Sequence, residues 1–98
     1  MEVITQSKID MIRDILRVME GPFRAQPLAG NIIHNPRTNR ISLMVVGEDK
    51  NGKDVLEKPI IIFFTPEGKI CIQKNNTDLD VKGELIKRGV AENDIVRK

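Results

Sequence analysis

The sequence predicts an α+β fold: a single domain with an N-terminal helix, a largely antiparallel four-stranded sheet and a C-terminal helix. Three observations predict it. Apolar residues recur at three- and four-residue intervals near the N-terminus, β-branched runs alternate with Gly, Pro and Asn turn formers through the middle, and a second helical pattern follows the last run. With 98 residues, 40% of them apolar, the chain has enough length for one core and not for two.

Ser7 is placed to cap the first helix, with Asp10 three positions on, and the helix is expected to run to about Glu20. Ile9, Ile12, Leu16 and Met19 form its stripe, and Met11, Ile15 and Val18 widen it. Gly21 and Pro22 end it. Residues 23–30 show no period and read as a connector. A short strand is expected at 31–34, a turn at 35–39 and a second strand at 40–46, together a hairpin. The second face of that strand, Ser42, Met44 and Val46, is only partly polar, so something is expected to cover it.

Gly47 to Lys53 reads as an exposed loop around Asn51-Gly52. The third strand spans 55–64. Pro59 removes a ladder donor from it, which requires an edge position, a bulge, or a strand that starts only at Ile60. Ile60 to Phe64 does not alternate, which points to burial on both faces. Thr65 to Lys69 is a turn, Ile70 to Gln73 the fourth strand, and Thr77 or Asp78 the cap of a second helix with Val81, Leu85 and Ile86 on one face. Gly83 weakens that helix, Gly89 stops it, and Val90, Ile95 and Val96 form a final docking segment.

Composition excludes several function classes. A net charge of +2, with 16 basic and 14 acidic residues interleaved, gives no basic tail for nucleic acid. The chain has no Trp or Tyr and three Phe, so a base-stacking platform is not expected. The longest apolar run, Ile60 to Phe64, is far short of the ~20 residues a spanning helix needs. No uninterrupted apolar segment near the N-terminus resembles a signal peptide, and Cys71 is a lone cysteine. A cytoplasmic protein is expected.

Reactive chemistry has few candidates. His34 is the only imidazole and Cys71 the only thiol, and they could pair only if their strands were neighbours; a small apolar role for Cys71 in its strand is the stronger reading. One Cys and one His do not make a zinc site. Asp78 and Asp80 read as favourable charges at a helix start, and the glycines fit no phosphate-binding spacing. No catalytic, cofactor-binding or metal-binding residue is therefore expected. Arg37, Arg40, Lys74 and Asn75 are the candidate contacts for a partner or for nucleic acid.

Read as one string, Pro59 to Gln73, Asn75-Asn76-Thr77-Asp78, Gly83-Glu84-Leu85-Ile86 and Gly89 to Val96 resemble the XisI family, the fdxN-element excision controlling factors. Arg40 to Gly47 resembles the family's strand leading to Val-Gly-Trp. The resemblance covers roughly residues 30–96 of a domain taken as 1–98. The chain has Glu48 where the family usually has Trp, Cys71 where it has an aromatic, and ends before the family's tail. The resemblance implies a non-enzymatic accessory protein. It would bind an XisH-like partner with a nuclease-like fold and take part in excision of a DNA element by a site-specific recombinase. An inhibitor or antitoxin of that partner is the alternative, and a small DNA-binding architectural module comes third. A homo-oligomer is compatible with each.

Overall fold

The N-terminal apolar spacing produces helix α1, Gln6–Leu16, in the computed structural model, which describes residues 6–22 and 27–97. Ile9, Ile12, Ile15 and Leu16 form its buried face. The helix is shorter than the spacing predicts. After Leu16 the chain tightens into a 3-10 turn, Arg17–Met19, closed by the Glu20 N–H donating to the Arg17 carbonyl at 3.0 Å. Val18 is thereby turned to solvent at 74% exposure and does not widen the stripe, while Met19 still packs on the core. Ser7 lies inside the helix and so is not its N-cap.

Gly21 and Pro22, expected to end the helix, lie beyond both it and the 3-10 turn and form a two-residue strand, β1, paired with Gly30 and Ala29. At a sheet edge the missing proline donor costs nothing. Of the connector expected over 23–30, residues 23–26 lie outside the described residues. The remainder is mostly strand: β2 runs Leu28–Asn35 and pairs antiparallel with β3, Arg40–Glu48. Gly47, expected in a loop, is therefore a strand residue opposite Leu28.

The next two hairpins close on one design. Asp49 receives the Gly52 N–H on its carbonyl and the Asn51 and Lys53 N–H groups on Oδ1, and its own N–H donates to the Lys53 carbonyl. Thr65 repeats this with Gly68 and Lys69, its Oγ1 accepting from the Lys69 N–H at 3.0 Å. Both turns, read in the sequence from Asn51-Gly52 and from Pro66 before Gly68, are thus fixed by short polar side chains that bond the backbone a few residues on. Between them lies β4, Asp54–Phe64, and after them β5, Ile70–Asn75.

Pro59 sits in a β-bulge. Leu43 pairs with Ile60 and Val45 with Glu57, so Lys58 and Pro59 together oppose Met44. The strand thus passes through the proline without losing a ladder bond. A second shift leaves Gln73 as the extra residue of β5, between Ile62↔Ile72 and Ile61↔Lys74.

Helix α2, Val81–Lys87, is capped by Asp80, two positions later than Asp78, with Oδ1 accepting from the Gly83 N–H at 3.0 Å. Thr77 and Asn75 are occupied in the turn before it. A Cβ on Gly83 would lie 2.3 Å from Asp80 Oδ2, so a larger residue there would require the capping carboxylate to shift. We expect Asp80→Ala to cost about 1 kcal/mol and Gly83→Ala to bring none of the usual helix-propensity gain, both read as thermal midpoints. The helix stops in a Schellman motif, Gly89 N–H to Ile86 O and Val90 N–H to Leu85 O. Val81 and Leu85 are buried but Ile86 is 42% exposed, because the short helix rests on the sheet along one line only. A 3-10 turn, Glu92–Asp94, leads to β6, Ile95–Arg97, parallel to β5.

The sheet has six strands in chain order, antiparallel except for the last pair, two more than the expected four. The additional strands have two and three residues, too few to show a period in sequence. Both helices lie on one face. Ile9, Ile12, Ile15 and Leu16 of α1 and Val81 and Leu85 of α2 share a core with Ile41, Leu43, Ile60, Ile62, Phe64, Ile70, Ile72 and Ile95. An exposed ion pair, Arg88 Nη1 to Asp14 Oδ2 at 2.7 Å, links the end of α2 to α1. No helix among the described residues is long and apolar enough to cross a membrane.

Candidate interaction surface

Strand alternation assigns every second side chain to the face without helices. Since Ile41, Leu43, Ile60, Ile62, Ile70 and Ile72 face the core, their neighbours Arg40, Ser42, Met44, Ile61, Phe63 and Cys71 face outward. Pairing adds Ile33 beside Ser42, Leu56 beside Val46, and Val96 beside Cys71. Among the described residues no element packs over this surface. Ile33, Leu56 and Val96 are three of the five exposed large apolar side chains, and Leu56 reaches 71% exposure.

The expectation that Ile60 to Phe64 is buried on both faces is half met. Ile60, Ile62 and Phe64 are in the core, whereas Ile61 and Phe63 are only half-buried, screened by their strand neighbours alone. Small side chains sink between larger ones on this face. Ser42, flanked by Ile33 and Ile61, and Cys71, flanked by Phe63 and Val96, are both buried.

The four candidate contact residues separate. Arg40 lies at one end of the outer face, its guanidinium carbon 5.2 Å from the centre of the Phe63 ring and its Nε donating to Gln73 Oε1 at 3.3 Å. Lys74 is exposed at the same end, opposite Ile61. Arg37 is exposed in the β2–β3 turn, where its N–H is bound by Asn35 Oδ1. Asn75 serves the fold: Oδ1 accepts from the N–H and Oγ1 of Thr77, and Nδ2 donates to the Leu79 carbonyl at 2.7 Å. Gln73 was missed because only the bulge sets it beside Arg40, and a bulge in β5 has no local sequence signal.

The opposite end of the face is acidic, with Glu48 and Asp54 paired across β3 and β4. A duplex backbone would be repelled at that end.

The structure separates the thiol from the imidazole. Cys71 is on β5 facing outward and His34 on β2 sharing the helix-covered face with Ile41, with β3 and β4 between them. His34 Nε2 is enclosed without a hydrogen-bond partner among the described residues. Cys71 is buried, so a thiol probe is expected to label it only after denaturation. Among the described residues no group of three or more His, Cys, Asp or Glu side chains could hold a metal ion. A shallow cleft of about 270 Å³ lies on the helix side, lined by Lys8, Met11, Ile70 and Val90 among others.

The family described as XisI protein matches the sequence over residues 1–97. The crystal structure of a XisI-like protein from Anabaena variabilis is similar, with a TM-score of 0.74 at 23% identity, over 93% of this chain and 82% of that one. The structure of fdxN element excision controlling factor XisI from the same organism is similar with a TM-score of 0.62 at 17% identity, over 92% of this chain and 82% of that one. These likenesses show the α+β fold. No curated protein matches.

Proposed function

The chain belongs to the XisI family, and from that premise we propose that it is a non-enzymatic controlling factor that acts by binding protein. Its role is in excision of a DNA element by a site-specific recombinase, exerted through contact with an XisH-like partner. The observation that carries this reading is the outer sheet face, where Ile33, Met44, Leu56, Ile61, Phe63 and Val96 form an apolar surface that no described element covers. Isolated exposed apolar residues are ordinary, but a continuous set on one sheet face marks a contact. His34 and Cys71 stand on opposite faces of the sheet with two strands between them, so they form no thiol–imidazole pair.

Co-purification of the full chain with an XisH-like protein tests the reading. Stable association at micromolar concentration is expected. Failure of the pair to associate under those conditions contradicts it.

A further inference from the structure

We propose that the outer sheet face receives a second copy of this chain, stacked face to face about a two-fold axis through Met44. This rests on the reading of that face as a protein contact surface and assigns it to a second copy, so that an XisH-like protein would meet the dimer elsewhere. The outward side chains of β3 run Arg40, Ser42, Met44, Val46, Glu48, from basic through apolar to acidic. Beside this strand Lys74 lies toward the Arg40 end and Asp54 is paired with Glu48 at the other, while Phe63 pairs with Arg40 and Asn31 with Met44.

A surface polarised in this way selects its own orientation. A copy laid parallel would set Arg40 over Arg40 and Glu48 over Glu48, which is repulsive. Residues 40 and 48 are equidistant from Met44, as are 42 and 46, so a two-fold axis there exchanges them. Arg40 of one copy then meets Glu48 of the other, Asp54 is set over the Phe63 ring against which the Arg40 guanidinium rests, and Ile61 meets Leu56. In such an isologous contact each of these pairings occurs twice. Lys58, opposite Met44 in the bulge, has a stem long enough to carry its ammonium to the rim.

The size is adequate. The stretch from Arg40 to Glu48 is about 27 Å long and four strands make it about 19 Å wide. Two such faces bury on the order of 1,000 Å² in total, the lower end for a specific contact. The dimer would present both pairs of helices outward.

Sedimentation equilibrium of the full chain across micromolar to millimolar concentration tests this, with circular dichroism to verify folding. A dimer is expected. Arg40→Glu or Glu48→Arg alone should weaken it by about tenfold or more, because each reversal counts twice, and the two together should restore it. Leu56→Asp alters a side chain already 71% exposed and should leave a folded monomer. A wild-type chain that remains monomeric, or a dimer indifferent to Leu56→Asp and to the reversals, overturns the proposal. A monomer that binds the XisH-like protein and loses it on Leu56→Asp also overturns this occupant, while the face survives as the partner's surface. A dimer disrupted by Leu56→Asp that captures no such protein supports the self-contact and removes the partner reading instead.

Discussion

Gly47→Ala is expected to lower the stability of the chain by about 3 kcal/mol or more, since it combines backbone strain and overpacking, each worth roughly 1–3 kcal/mol. Gly47 has φ +140°, a conformation L side chains rarely adopt, and a Cβ there would lie 2.1 Å from the Pro27 carbonyl oxygen. Both obstacles are backbone, so no side chain can rotate to relieve them. The same carbonyl accepts the Glu48 N–H at 3.2 Å, so moving it away would also cost that bond. For a domain of this size 1 kcal/mol corresponds to roughly 4–8 °C, and the thermal midpoint should fall by well over 10 °C. Gly52→Ala is the control. Gly52 also has positive φ, +78°, but nothing lies within 4 Å of its Cβ position, so its cost should be near 1 kcal/mol. Equal midpoints for the two variants would contradict the close approach at Gly47.

The second large effect concerns two adjacent isoleucines. Ile62 is fully buried beneath the helices, paired with Ile41 on one side and Ile72 on the other. Ile62→Ala should cost roughly 2–5 kcal/mol, because the removed atoms lose their transfer energy and leave a cavity that a sheet centre cannot collapse around. Ile61, next in the chain, faces outward and is only half-buried. Ile61→Ala should cost about 1 kcal/mol or less. Denaturant melts of the two variants decide the matter: comparable losses would mean that the outer face is packed as tightly as the core.

Local chemistry was legible in the sequence. The turns around Asp49 and Thr65, the stop at Gly89 and the stripe Ile9, Ile12 and Leu16 depend on residues within a few positions of one another, and each forms. Pro59 narrowed its strand to three arrangements, of which the bulge is realised. The errors share a different origin. The exposure of Val18 follows from the 3-10 turn after Leu16 and that of Ile86 from the narrow seat of the second helix, and β1 and β6 are short strands paired with longer neighbours. Asn75, a candidate contact, also bonds Thr77 and Leu79 in the turn before the second helix. The outer face was half legible: the weak alternation of Ser42, Met44 and Val46 revealed an apolar second side. Its polarity, from Arg40 to Glu48, appears only once register places Lys74 and Asp54 beside them.

The central claim is that the chain works through a surface and not through a reactive group. Excision frequency of the DNA element, in cells supplied with variants verified to be folded, tests it most directly. Leu56→Asp should abolish excision, while Cys71→Ala and His34→Asn should leave it near the wild-type level. Full excision with Leu56→Asp, or its loss in a folded Cys71→Ala protein, would contradict the account.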